Sequence, residues 1–129
     1  MSRRTPSSSA PLRGLALALG LIGFGVGARA QEDGERLFRR TCAICHTLQL
    51  DQNRIGPSLA GIVGRKAGTV PGFNYSDSNK NSNVVWDGAN LDQYLTDPKQ
   101  FMPGTKMIYA GMKDADQRKA VIAFLRDAK

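Results

Sequence analysis

At 129 residues the chain is long enough for one domain, and its 18 Lys and Arg against 11 Asp and Glu give a formal net charge of +7. That charge includes no long basic run and no basic stretch interleaved with aromatics, so nucleic-acid binding has no support. Two cysteines and one histidine are too few for a structural zinc site, which takes four such ligands.

Residues 1–30 read as a secretory leader to be cleaved. Arg3, Arg4 and Arg13 form a basic, Ser- and Pro-rich opening, and a 14-residue apolar run from Leu15 to Ala28 follows. A membrane-spanning helix needs about 20 apolar residues. Ala28-Arg29-Ala30 is the small-x-small pattern of a signal-peptidase site. Arg3-Arg4 is not extended into a twin-arginine signal, so general secretion is expected, with the mature protein in the periplasm and no stable membrane insertion. The leader takes four of the 18 positive charges and none of the 11 negative ones, so 14 against 11 leaves a mature net charge of +3.

Residues 31–129 are then the working domain. A domain this small buries only about 60–65% of its unfolded surface and is marginal without a staple. Cys42 and Cys45 stand three apart, and a disulfide closing so short a loop restrains the unfolded chain little. Something else must fill the core.

Asp33 to Thr41 reads as a short helix. Leu37 and Phe38 are apolar, Glu32, Asp33 and Glu35 favour its N-terminal end, and Arg36, Arg39 and Arg40 come later. Gly34 lies four residues before Phe38, on the same face. It costs about 1 kcal/mol of helix propensity against Ala, which makes sense if another helix crosses close by.

Cys42-Ala43-Ile44-Cys45-His46 follows, and C-x-x-C-H is the attachment signature of a c-type heme. Two intervening residues bring both sulfurs to the vinyl-bearing edges of one porphyrin. The next residue, His46, then sits under the ring with an imidazole nitrogen on the iron. A thioredoxin-like redox pair would need a βαβ context, which is absent. A plain disulfide in an oxidising compartment is the remaining alternative.

From Leu48 to Val85 the pattern is irregular, punctuated by Gly56, Gly61, Gly64, Gly68 and Gly72 with Pro57 and Pro71. Loops this long fit a chain that wraps a prosthetic group. Leu59, Ile62, Val63, Phe73, Tyr75 and Trp86 would line it. Asn90 reads as the N-cap of a helix carrying Leu91, Tyr94 and Leu95, and Asp97-Pro98 stops it. Asp114 reads as the cap of a last helix, with Gln117 three residues on. Ala120, Val121, Phe124, Leu125 and Ala128 make its apolar stripe, and Lys129 lies at its negative end. No segment reads as a sheet and no repeat is visible, so the expected fold class is all-α. A sixth iron ligand could come from Met102, Met107 or Met112. Met107 ends Pro103-Gly104-Thr105-Lys106-Met107, a segment without helical periodicity that can set a thioether over a flat face.

Over residues 33–128 the sequence strongly resembles the class I cytochromes c, in the mitochondrial-like bacterial branch. The resemblance rests on CAICH, GPSL (56–59), GRKAGTVPGFNYSDSNKN (64–81), Trp86 and DPKQFMPGTKMIYAGMK (97–113). It implies the small cytochrome c fold, helices and loops around one heme c attached through Cys42 and Cys45, with His46 and Met107 on the iron. It further implies that the Pro57 carbonyl holds the second imidazole N–H, and that Arg65, Tyr75, Trp86 and Ser76 meet the propionates. Asn79, Tyr94 and Thr105 would form the polar cluster beside the methionine. Gly34 and Phe38 would mark the first helix where it crosses the last, near Phe124. Three departures stand out. Tyr109 replaces the usual Phe at the exposed heme edge, Ser76 replaces the commoner Thr, and the loop from His46 to Pro57 is one residue shorter than in mitochondrial members.

Such a protein is expected to carry electrons and not to catalyse. Two filled axial positions leave no open iron site, and His/Met ligation raises the reduction potential. The resemblance implies a monomer passing single electrons from a quinol:cytochrome c reductase to a cytochrome c oxidase or other redox enzyme. Lys66, Lys80, Lys99, Lys106 and Lys113 would steer acidic partner faces. The alternative is a dedicated electron-transfer subunit of a periplasmic dehydrogenase.

Overall fold

The structure, a computed structural model, describes residues 26–129. The basic opening of the expected leader and nearly all of its apolar run lie outside the described residues. Among the described residues five α-helices follow one another: α1 (Val26–Leu37), α2 (Asp77–Lys80), α3 (Gly88–Thr96), α4 (Pro98–Phe101) and α5 (Ala115–Asp127). The β pairing among the described residues is one isolated antiparallel bridge, Lys66 to Val85. The fold is all-α.

Helix α1 starts earlier than its charge pattern suggests. Ala28, Ala30, Gln31 and Glu32 are good helix formers, and they carry it back to Val26. Gly27, Ala28 and Arg29 are exposed, whereas Gly34 and Leu37 are buried. The helix packs along α5, and Gly34 is where the two backbones meet. A Cβ there would overlap the Ala120 carbonyl oxygen and lie 2.7 Å from the Phe124 Cβ. One turn on, the Phe38 and Phe124 rings pack at 5.6 Å between centroids.

Past Leu37 the helix widens into a π-helical segment, Phe38–Cys42, closed by the Ala43 N–H on the Phe38 carbonyl at 2.9 Å. The Cys42 carbonyl then accepts from both the Cys45 N–H (3.1 Å) and the His46 N–H (2.9 Å). This tight turn ends the helix and holds the two cysteines and the histidine in one place.

The long middle stretch contains one turn of helix that hydrophobic patterning does not reveal. Ser76 caps α2 by accepting from the Asn79 N–H at 3.2 Å. Elsewhere the loops are tied by backbone pairs. Trp86 N–H donates to the Arg65 carbonyl and Gly64 N–H to the Trp86 carbonyl, each at 2.8 Å, and Gly61 N–H reaches the Ala128 carbonyl at the end of α5.

The cap of α3 is Asp87, not Asn90. The Asp87 carboxylate accepts from the Asn90 N–H at 2.7 Å, and the Asn90 amide donates to the Val85 carbonyl. Asp and Asn have similar N-cap preference, so position had to decide between them. Asp97-Pro98 ends α3 and also begins α4, with Asp97 as its cap and Pro98 at the first helical position, where a missing N–H costs nothing. Asp114 caps α5, accepting from the N–H groups of Asp116 (2.8 Å) and Gln117 (3.0 Å). The core joins Leu37 and Phe38 to Leu91, Tyr94 and Leu95 of α3 and to Val121, Ile122 and Leu125 of α5. Ile62, Ala67, Trp86, Met102 and Met112 complete it.

Candidate functional site

A cavity of about 350 Å³ lies among the Cys42–His46 turn, the middle loops, α3, the 105–109 segment and α5. Its volume falls in the usual range for cofactor sites, and its wall is mostly apolar. The twelve residues to which the family resemblance gives attachment, iron-ligand, propionate or neighbouring roles all line it: Cys42, Cys45, His46, Pro57, Arg65, Tyr75, Ser76, Asn79, Trp86, Tyr94, Thr105 and Met107. These residues span more than half of the chain. Of the expected apolar lining, Leu59, Ile62, Phe73, Tyr75 and Trp86 face the cavity, while Val63 packs against the core instead. Leu91, Leu95, Val121 and Leu125 also line it, so the apolar stripes of α3 and α5 serve both core and cavity.

His46 is held in one orientation. Its Nδ1 lies 2.7 Å from the Pro57 carbonyl oxygen, which can only accept, so Nδ1 carries the proton and Nε2 keeps a free lone pair. Burial lowers the imidazole pKa, opposed by the Pro57 bond and reinforced by the Arg65 charge. The ring is therefore neutral at neutral pH, the state that binds a metal. Gly56 presses on its face. A Cβ at that position would lie 2.6 Å from Nδ1 and 2.8 Å from Nε2. Gly56 is itself pinned by its N–H to the Cys45 carbonyl at 2.8 Å.

The two thiols are partly buried and unpaired. Burial, and then the neighbouring Cys45, push the Cys42 thiol up to about 11, which does not suit a reactive redox cysteine. No cluster of three His, Cys, Asp or Glu residues that could hold a metal ion occurs among the described residues.

On the methionine side, the Tyr94 and Thr105 hydroxyls are 3.1 Å apart, and the Thr105 oxygen accepts from the Met107 N–H at 3.3 Å. Burial raises the Tyr94 phenol pKa, partly offset by Thr105. Asn79 donates its side-chain amide to Ser76 at 3.2 Å, and the Ser76 hydroxyl also pairs with Ser78. The three candidate methionines separate only in part. Met102 is buried in the core away from the cavity, Met112 is buried but touches it, and Met107 is half-buried on its wall.

Arg65 reaches the cavity with its guanidinium already donating to the Ala60 and Ser58 carbonyls, each at 2.9 Å. Tyr75 accepts from the Val70 N–H at 3.2 Å. Trp86 packs on Tyr94 at 4.8 Å. Tyr109 is half-buried on the wall, its phenol pKa raised by burial and then by Cys42.

Sequence reading missed two groups. Arg118 is buried on α5, donating to Asp92 of α3 at 2.7 Å and to the Met112 and Lys113 carbonyls at 2.9 Å. It ties the end of the methionine loop to two helices. Its one sequence signal is a charge next to the apolar stripe of α5. The other is Gly56, visible within GPSL but without an assigned role.

The chemistry of the donor set fits one flat, apolar group attached through sulfur. Two thiols, one imidazole with a free nitrogen and the thioethers of Met107 and Met112 share a mostly apolar cavity. Fold and site together define a helical protein that encloses a single prosthetic group and holds it covalently. The comparisons agree. The sequence profile described as Cytochrome c matches residues 31–129. Cytochrome c2 iso-2 of Magnetospirillum molischianum is 49% identical over 88 residues, covering 68% of this chain and 91% of its own. Cytochrome c type-1 of Ascaris suum is 46% identical over 96 residues, covering 74% of this chain and 86% of its own. The solved structure of cytochrome cH from Methylobacterium extorquens superposes with a TM-score of 0.68 at 42% identity, covering 74% of this chain and 95% of that one. The chain belongs to the cytochrome c family. It is an electron-transfer protein with one covalent heme c, and Cys42 and Cys45 stand at the attachment spacing.

Proposed function

We propose that this chain is a monomeric, exported single-electron carrier of the periplasm, with His46 and Met107 as the axial ligands of its heme iron. The observation that carries the reading is the fixed imidazole: Nδ1 bound to Pro57, Nε2 free, inside an apolar cavity that also receives Met107. When bound, the heme supplies a one-electron ferric/ferrous couple, with a potential raised by thioether ligation.

The chain's own residues then have distinct tasks. Pro57 fixes the imidazole tautomer and keeps its basicity steady. Thr105 orients the backbone at Met107, and Tyr94 orients Thr105. Arg65, Tyr75, Trp86 and Ser76 are the groups proposed to meet the propionates. Burial lowers the Arg65 pKa, so an anionic neighbour there would be favourable. The apolar wall excludes water and keeps polar reorganisation small on electron exchange.

Lys66, Lys80, Lys99, Lys106 and Lys113 are all exposed. Lys106 and Lys113 also donate to backbone carbonyls, Lys106 to Asn74 and Tyr75 and Lys113 to Thr96. The proposed partners are a reductase and an oxidase with acidic docking faces, steered by these charges. Export is supported by the leader pattern and by the exposure of residues 27–29, whose removal takes away no core. No helix among the described residues is long and apolar enough to cross a membrane.

The test is expression of the full chain in a bacterium equipped for c-type heme attachment. The expected product is a red periplasmic protein beginning at Gln31 and eluting as a monomer on gel filtration. Retention in the cytoplasm would contradict export, and co-elution with a large dehydrogenase would favour the subunit alternative.

A further inference from the structure

Pro57 and Ser58 share one peptide group, and both of its ends are engaged. The Pro57 oxygen accepts from His46 Nδ1 at 2.7 Å, and the Ser58 N–H donates to Asn53 Oδ1 at 3.1 Å. The orientation of the Asn53 amide is unambiguous, because its Nδ2 donates to the Pro71 carbonyl at 2.9 Å. Only Nδ2 can satisfy a carbonyl, and only Oδ1 can satisfy an N–H. Asn53 does not line the cavity and makes no hydrogen bond to His46, yet it closes a continuous chain of hydrogen bonds that ends on the imidazole.

Peptide resonance couples the two ends of that group. An acceptor on the N–H draws density onto the oxygen, which becomes a stronger acceptor in turn. A stronger bond at Nδ1 makes the imidazole a stronger donor through Nε2. We propose that Asn53 is a positioning residue for His46 that acts through the Pro57–Ser58 peptide, strengthening the imidazole's donation and favouring the ferric state. This rests on His46 being an axial ligand.

Two bland alternatives were open to Asn53. It could be a strut between the 47–59 loop and Pro71, or a surface amide of no consequence. The strut role is carried by Nδ2 and the relay by Oδ1, so two substitutions separate them. Asn53→Leu keeps the size and removes both bonds. Asn53→Asp removes the donor to Pro71 and keeps a stronger, charged acceptor for the Ser58 N–H.

The experiment is proton–nitrogen NMR of the ferrous holoprotein, reading the His46 Nδ1–H resonance, with redox equilibration against a mediator of fixed potential. In the unsubstituted protein the His46 ring protons must be displaced upfield by the porphyrin ring current. If they are not, the axial-ligand reading fails, and this proposal fails with it. Given that displacement, Asn53→Leu should move the Nδ1–H resonance upfield and shift the ferric–ferrous equilibrium about two-fold toward ferrous. Asn53→Asp should move the same resonance downfield, although both variants lose the Pro71 bond and unfold more easily. Unchanged Nδ1–H resonances in both variants, with stability alone reduced, would make Asn53 a strut and overturn the proposal. If Asn53→Leu does not fold, Asn53→Asp decides alone: no downfield movement overturns it.

Discussion

Substituting Gly56 by alanine tests the packing on which the imidazole depends. Gly56 is buried and its φ is not positive, so alanine meets no backbone strain there and reduces unfolded-state entropy by about 0.4–1 kcal/mol in favour of folding. Against that, the new Cβ would lie 2.6 Å from Nδ1 and 2.8 Å from Nε2 of His46. Neither side can yield freely. The imidazole is tied to Pro57, and the Gly56 backbone is tied to Cys45. Overpacking of this kind costs about 1–3 kcal/mol. Losing the His46–Pro57 bond adds about 1 kcal/mol. The net expectation is a loss of about 2 kcal/mol, or on the order of 10 °C in Tm for a domain this size. The assay is thermal unfolding of the holoprotein followed by circular dichroism, with the reduction potential measured alongside. A variant with unchanged Tm and unchanged potential would refute the reasoning.

Met107→Ala should leave the heme covalently bound, abolish the thioether–iron band in the ferric spectrum, lower the potential and speed cyanide binding, whereas Met112→Leu should change none of these. Arg118→Met should cost about 1–3 kcal/mol in chemical denaturation, mostly from the Met112 and Lys113 carbonyls left without a donor, since Asp92 is partly exposed and its ion pair is screened. Stability should also fall in alkali. The Tyr94 pKa is raised in the folded state above its usual 10.0, so its contribution is complete below pH 10 and is lost as pH rises through the folded value. Tyr94→Phe should flatten that part of the pH–stability curve, and an unaltered curve would exclude Tyr94 as its source.

The parts legible in sequence were those carried by chemistry at fixed spacing or by a stripe of apolar residues. C-x-x-C-H located the attachment turn, Asp114 and the stripe from Ala120 to Leu125 located α5, and Gly34 announced a close helix crossing before its partner was visible. What was hidden had local signals that compete or depend on distant contacts. Asp87 and Asn90 are both good caps, and only the backbone geometry chooses Asp87. Asp97-Pro98 is as much a start as a stop, which concealed α4. The one-turn α2 has no room for a periodic pattern. Widening of α1 at Phe38 and burial of Arg118 arise from tertiary packing, and no short window of sequence records either. Gathering of the cavity-lining residues from segments far apart in the chain was accessible only through resemblance to a family.

Axial ligation is tested most directly by proton–carbon NMR of the ferrous holoprotein labelled at its methionine methyl carbons. Besides Met1 the chain has three methionines, Met102, Met107 and Met112. One methyl signal should lie far upfield under the porphyrin ring current and vanish in Met107→Leu. A spectrum with no displaced methyl, or with one that survives that substitution, would contradict the account.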